Sequence, residues 1–136
     1  MRILVEFTII DLSKNGFDGS IPGSVGNLQS LKYLNLSHNK LIGSIPTSFG
    51  NLKPLEALDL SSNQLVGKIP TKLVRLTSLA KLNLSWNHLT GALPWSFQFQ
   101  TFDSTSNLGN HELCGDLFEE RKCDNGGKMQ PLYDTD

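Results

Sequence analysis

A histidine and two cysteines near the carboxyl end are the residues of this chain best suited to metal or covalent chemistry. His111, Cys114 and Cys123 follow the pattern H-x2-C-x8-C. They supply three ligands and no second cysteine pair exists, whereas a structural zinc site needs four ligands. In an oxidising compartment, a disulfide closing this loop would contribute about 2.5–3 kcal/mol through loop entropy. We therefore predict a Cys114–Cys123 disulfide rather than a metal site.

The histidines and glycines do not form a catalytic pattern. His38, His88 and His111 stand in unrelated sequence surroundings, with no nucleophile or carboxylate at a fixed spacing beside them. The regularly recurring glycines stand singly and far apart: Gly19, Gly43, Gly67 and Gly91. A phosphate-binding loop needs its glycines close together. We predict that the chain is not an enzyme and binds no cofactor.

Two asparagines stand in N-L-S sequons, which accept N-linked glycans if the chain enters the secretory pathway. These glycosylation candidates are Asn35 and Asn83. The alternative is that N-L-S arises from the repeat itself, since Asp11 and Asp59 hold the equivalent positions without a sequon.

These residues lie in or beside a repeat with a strict 24-residue period, the signature of a solenoid. The four copies are FTIIDLSKNGFDGSIP at 7–22, LKYLNLSHNKLIGSIP at 31–46, LEALDLSSNQLVGKIP at 55–70 and LAKLNLSWNHLTGALP at 79–94. Leu34–Leu36 alternates apolar and polar residues as a short strand does. Gly43 and Pro46 then exclude a regular helix. The fold class predicted is an α/β-type repeat solenoid with short parallel strands on the concave face and irregular or 3-10 arcs on the convex face.

Each repeat has residues that must point inward. In the second copy we predict that Leu31, Leu34, Leu36, Leu41, Ile45, Phe49 and Leu52 do so. An asparagine follows each strand at a bend where backbone groups lose their ladder partners, and its amide can replace them. We predict that this asparagine column is inward and structural: Asn15, Asn39, Asn63 and Asn87.

Charge and hydropathy divide the chain and exclude some partners. Residues 1–110 carry a net charge of +3 and residues 111–136 a net charge of -4, so a boundary is expected near His111. The total of -1 argues against nucleic acid and anionic membranes. No apolar run reaches the length of about 20 residues that a membrane helix needs, and MRILVEFTII is a poor export signal.

These observations give four predicted segments. They are an uncapped start at 1–6, four repeats at 7–94, a carboxy-terminal cap with the cysteine pair at 95–123, and a polar, disordered tail at 124–136.

The pattern LxxLxLSxNxLxGxIP in residues 31–46 resembles the plant-specific class of leucine-rich repeats. QFQTF at 98–102, Gly109–Asn110, and Leu113–Cys114–Gly115 followed by Cys123 resemble the cap of plant receptor-like proteins. The resemblance implies an ectodomain end on the extracellular side of the plasma membrane, in defence or developmental signalling. It implies a protein or peptide ligand and a co-receptor kinase as partners. Without a leader, an amino-terminal cap or a membrane helix, a fragment of such a receptor is expected.

Equal registers stack across coils, so the outward strand positions form columns. We expect Thr8–Lys32–Glu56–Ala80, Ile9–Tyr33–Ala57–Lys81 and Lys14–His38–Ser62–Trp86 to face outward as strand positions. These registers differ between copies while the framework repeats, as an adaptable recognition surface requires. The predicted partner-binding residues are Lys32, Tyr33, His38, Glu56, Lys81 and Trp86, and a solvated face is the alternative.

Three other functions compete with a receptor-like protein. The chain could belong to a receptor-kinase ectodomain, to a soluble inhibitor of a cell-wall-degrading enzyme, or to a non-functional remnant. The third is suggested by Phe7–Leu12, an apolar edge strand without a cap.

Overall fold

The computed structural model describes residues 7–94, 109–115, 122–124 and 127–128. The predicted start at 1–6, most of the predicted cap at 95–123 and most of the predicted tail lie outside the described residues. Within the described ranges, no helix has the length and hydropathy of a membrane span.

The repeats build a four-stranded parallel sheet, with one strand from each copy. Its strands, in spatial order, are β1 (Ile9–Asp11), β2 (Tyr33–Asn35), β3 (Ala57–Asp59) and β5 (Lys81–Asn83). Every strand residue pairs with its equivalent in the next copy, as Leu34 does with Leu58. The 24-residue period of the sequence therefore sets the register in which the strands pair.

A short 3-10 helix follows a proline in each of the first three coils. The helices are η1 (Gly23–Asn27), η2 (Thr47–Asn51) and η3 (Thr71–Arg75). Pro22, Pro46 and Pro70 have φ between -64° and -59°, which suits the residue before a helix and needs no N–H donor. Parallel strands on one side and 3-10 arcs on the other confirm the predicted fold class.

The leucine registers form one continuous core between these two sides. All seven residues predicted to point inward in the second copy are buried: Leu31, Leu34, Leu36, Leu41, Ile45, Phe49 and Leu52. Their equivalents in the third copy are buried as well, so each coil covers the apolar stripe of its neighbour.

Successive 3-10 helices approach closely at a glycine. A Cβ on Gly26 would lie 2.5 Å from Cβ, O and Oγ of Ser48, and one on Gly50 would lie 2.7 Å from Cβ of Lys72. The spacing of the coils on this side therefore depends on the missing side chain.

A second parallel sheet was not predicted. It contains β4 (Val66–Lys68), β6 (His88–Ala92) and β7 (Glu112–Cys114), with β6 in the centre. Gly67 in β4 and Gly91 in β6 have φ of +82° and +85°. A glycine in the left-handed region usually indicates the end or interruption of a strand, so the sequence did not predict these two strands. The arc predicted to be irregular after each asparagine is thus partly strand.

Candidate recognition face

The outward positions of the four-stranded sheet form three columns, which we call the candidate face. Inward residues alternate with them, as buried Leu34 does with Tyr33 and Asn35. The columns are Thr8, Lys32, Glu56 and Ala80; Ile9, Tyr33, Ala57 and Lys81; and Asp11, Asn35, Asp59 and Asn83.

Four of the predicted partner-binding residues lie on this face, and all are exposed. Tyr33 and Lys81 are strand residues, while Lys32 and Glu56 immediately precede a strand. The carbonyl oxygen of Lys32 accepts the N–H groups of Glu56 and Ala57 at 2.8 and 3.2 Å. The backbone at Lys32 is therefore hydrogen-bonded to the next coil, while the side chain of Lys32 remains exposed to solvent.

The other two, His38 and Trp86, were expected at outward strand positions, and this is wrong. They lie three residues beyond the ends of β2 and β5, with φ of +55° and +57°. Lys14 and Ser62 have the same left-handed conformation. The chain bends at this position, just after the strand ends. The bend occurs in all four coils although the side chain differs in each. His38 and Trp86 are nevertheless exposed and border the candidate face.

Trp86 also contacts the carboxy-terminal segment. A Cβ on Gly109 would lie 2.5 Å from Cε3 and 2.9 Å from Cα of Trp86, so the glycine makes room for the indole. Gly109 has φ of +83°. Trp86 is still 58% exposed, so it combines a packing contact with a free surface.

Each member of the third column accepts a hydrogen bond from the serine two residues ahead. Oδ1 of Asn83 accepts N–H and O–H of Ser85 at 3.1 and 2.6 Å, and Asp59 does the same for Ser61. Asp11 accepts both groups of Ser13. The side-chain hydrogen bond, and after it the backbone one, lowers the pKa of the Asp11 carboxyl from its ordinary value. Asn35 accepts the N–H of Ser37 at 2.9 Å, and no hydroxyl donates to it within the described part of the chain.

The asparagine column closes the bend between coils. Nδ2 of Asn63 donates to the carbonyl oxygens of Leu36, Leu60 and Ser61 at 3.0–3.2 Å, and its Oδ1 accepts the N–H of Leu41 at 3.1 Å. Asn87 repeats this arrangement one coil later. Each side chain thus joins two adjacent coils.

Burial along this column is graded, contrary to the prediction that every member is inward. Asn63 and Asn87 are buried, Asn39 is half-buried and Asn15 is exposed. The gradient follows the position in the stack, because Asn15 belongs to the first described coil.

Asn110 is a fifth member that was not predicted as one. It is fully buried, donates to the carbonyl oxygen of Leu84 at 2.7 Å and accepts the N–H of Leu89 at 3.0 Å. It stands one position before the register that the strict period assigns after Asn87, and that register holds His111, which is exposed. The signal in the sequence was Leu113, which keeps the 24-residue register of Leu89 although the asparagine before it is shifted by one position.

The cysteine pair forms the predicted disulfide, with Cα atoms 5.0 Å apart. Cys114 is fully buried at the end of β7, which pairs with β6. The bond therefore attaches the segment around Cys123 to the second sheet. Among the described residues, no group of three or more His, Cys, Asp or Glu side chains is arranged to hold a metal ion.

The comparisons with known proteins agree with this architecture. The family model described as "Leucine rich repeat" matches residues 6–65 and 42–89, which together span more than half of the chain. No curated protein matches the sequence.

Three solved structures illustrate the similarity, all from Arabidopsis. A chain of the BIR3–SERK2 complex is 45% identical with a TM-score of 0.73, over 77% of this chain and 55% of that one. The ectodomain of the receptor kinase SOBIR1 is 32% identical with a TM-score of 0.69, over 79% and 59%. The receptor kinase HAESA, solved with the peptide hormone IDA and the co-receptor SERK1, is 34% identical with a TM-score of 0.58, over 82% and 22%. This chain spans just over half the length of the first two.

Proposed function

The chain belongs to the leucine-rich-repeat family, in the form found in plant receptor ectodomains, and we propose that it is a protein- or peptide-recognition module of a plant cell-surface receptor-like protein. One observation carries the proposal. Four strands in constant register place outward side chains of different chemistry at equivalent positions, namely Ile9, Tyr33, Ala57 and Lys81.

The recognition residues proposed are Lys32, Tyr33, His38, Glu56, Lys81 and Trp86, all of which are exposed. Tyr33 and Trp86 are the proposed anchors, because aromatic side chains dominate the energetics of protein interfaces. Lys32, Lys81 and Glu56 add both signs of charge to the candidate face, which favours a polar or peptide-like ligand over an apolar one.

The proposed partners are a protein or peptide ligand and a co-receptor kinase. HAESA was solved with a peptide hormone and SERK1, and BIR3 with SERK2, which supports this class of partner. Signalling through such a kinase in defence or development, at the extracellular side of the plasma membrane, forms part of the proposal.

Non-catalytic action also belongs to the proposal. It is supported by the similarity to the leucine-rich-repeat ectodomain of SOBIR1. An ectodomain of a receptor kinase is the second candidate, favoured by the receptor-kinase ectodomains among the similar structures.

The test measures binding of the chain without N-linked glycans to purified SERK1 and SERK2 ectodomains by biolayer interferometry. Replacing Tyr33→Ala should weaken binding by about 10-fold, the equivalent of about 1.4 kcal/mol. Val66→Ala is the matched control, because Val66 is an exposed apolar strand residue on the second sheet. Unchanged affinity of Tyr33→Ala would reject the candidate face as the recognition surface. Absence of binding to both ectodomains would reject SERK1 and SERK2 as partners.

Trp86→Ala is measured alone and together with Tyr33→Ala. Because the indole packs against Gly109, the thermal unfolding midpoint of each Trp86→Ala variant is measured together with its affinity for the ectodomains. A loss of affinity without a loss of cooperative folding supports Trp86 as an anchor.

A further inference from the structure

The asparagines of both N-L-S sequons lie on the candidate face. Asn35 and Asn83 are outward residues of β2 and β5, in the column next to that of Tyr33 and Lys81. A glycan and a partner would therefore require the same surface. We propose that an N-linked glycan at Asn35 covers Tyr33 and closes the candidate face to protein partners, so that occupancy of this sequon decides which molecules can bind. This inference rests on the function proposed above.

The side-chain amide of Asn35 is oriented so that a glycan on it would begin next to Tyr33. Its Oδ1 accepts the N–H of Ser37 at 2.9 Å, which fixes the plane of the carboxamide. Its Nδ2, the atom that would carry the sugar, lies 3.5 Å from Oη of Tyr33. The first sugar would consequently begin beside the phenol.

The face is small compared with a glycan. Four strands about 4.8 Å apart span about 14 Å from first to last. Ala57 is the neighbour of Tyr33 on β3, so no large side chain separates Tyr33 from the centre of the face. Because an N-linked glycan is bulky and strongly hydrated, it leaves no room for a partner to desolvate the ring.

Asn83 is a contrasting site on the same face. Its Oδ1 accepts N–H and O–H of Ser85, while its Nδ2 has no partner in the described residues. Lys81 takes the place that Tyr33 has beside Asn35, and β3 separates β2 from β5. A glycan at Asn83 would therefore begin beside Lys81, two strands away from Tyr33, and would cover the ring less closely than a glycan that begins at Asn35.

The geometry also indicates when the modification occurs. Ser37 and Ser85, the third residues of the two sequons, are buried in the folded coil, and the hydroxyl of Ser85 is hydrogen-bonded. A transferase cannot engage a buried serine, so glycosylation must precede closure of the coil. Each molecule would thus be fixed as open or closed when it folds.

The reaction uses a lipid-pyrophosphate-linked oligosaccharide. The amide nitrogen of Asn35 bonds to the anomeric carbon of the sugar, and the bond from that carbon to the pyrophosphate breaks. The pyrophosphate leaves with the electron pair, and the nitrogen loses one proton.

The test uses the full chain, exported from plant or insect cells behind a leader peptide, with Asn35→Asp and Asn83→Asp variants. Aspartate is native to this column at Asp11 and Asp59, where it makes equivalent bonds, so both variants should fold. Peptide mass mapping gives the occupancy of each sequon. Tetranitromethane nitration of Tyr33, followed by mass spectrometry, measures access to the ring.

In the expected result, Asn35 is occupied and Tyr33 is nitrated several-fold more slowly than in Asn35→Asp. Asn83→Asp leaves Tyr33 protected, and release of the glycan by peptide N-glycosidase, which leaves aspartate at Asn35, restores nitration. An unmodified Asn35 in secreted, cooperatively folding protein would overturn the proposal, as would equal nitration with and without the glycan.

Binding to the SERK1 ectodomain separates this proposal from the recognition function. Asn35→Asp should bind more tightly than the glycosylated chain. If neither form binds while Tyr33 is protected by the glycan, the SERK partner is rejected and the shielding of Tyr33 stands. If both forms bind equally, the glycan does not close the face.

Discussion

Asn110 donates a hydrogen bond to the carbonyl oxygen of Leu84 at 2.7 Å, and this carbonyl also accepts from Asn87 at 3.2 Å. Asn110 therefore does for the fourth coil what Asn87 does for the third. The asparagine column continues past the last complete repeat into the segment that carries Cys114.

The first prediction concerns this column. Asn110→Ala should lower the free energy of unfolding by about 1–3 kcal/mol, because buried backbone groups lose their partners. Asn15→Ala removes the same type of side chain from an exposed position and should cost less. Urea denaturation monitored by circular dichroism compares the two, and equal losses would contradict a role that depends on burial.

The second prediction concerns the contact between successive 3-10 helices. Gly26→Ala should destabilise the chain by about 1–3 kcal/mol, because a Cβ there overlaps Ser48. Gly23→Ala, in the same helix, places its Cβ 3.9 Å from the nearest atom and should be tolerated. Thermal melts of both variants test the difference, and similar midpoints would show that the coils can separate slightly at no cost.

The third prediction concerns the Cys114–Cys123 bond. Reduction should lower the free energy of unfolding by about 2.5–3 kcal/mol, the loop-entropy estimate for this spacing. The measurement is urea unfolding of one preparation with and without reductant. A Cys114→Ala and Cys123→Ala double variant, which no longer responds to reductant, is the control. Titration of the native chain should find no free thiol, and two reactive thiols would disprove the bond.

The fourth prediction concerns the pH dependence at Asp11. The hydrogen bonds from Ser13 lower the pKa of Asp11 in the folded chain. The folded state thus favours the carboxylate, so the stabilisation is present above the unfolded pKa and is lost as pH falls through the folded pKa. NMR titration should find the pKa of Asp11 lower in the native chain than in the unfolded chain, and Ser13→Ala should raise it. An unchanged pKa in Ser13→Ala would show that the serine is not the cause.

The sequence by itself determined the solenoid, because its physical causes are local and periodic. Leucines that recur at the same positions of every copy fix the strand register, and the proline of each arc fixes the turn into a 3-10 helix. The inward leucines, the asparagine column and the cysteine pair are all visible in the pattern. The exposed strand residues Tyr33 and Lys81 follow from alternation alone.

Tertiary structure decided the features that depend on contacts between coils. The second sheet requires left-handed glycines inside strands, which no pattern distinguishes from breaks. Asn110 is identified by its bond to Leu84, since its spacing departs from the period by one position. His38 and Trp86 lie on a left-handed bend rather than on strands, and only the packing of the chain reveals that Gly109 fits against Trp86. The period specifies how one coil is built, whereas atoms from the neighbouring coil determine how its ends and exposed corners are held.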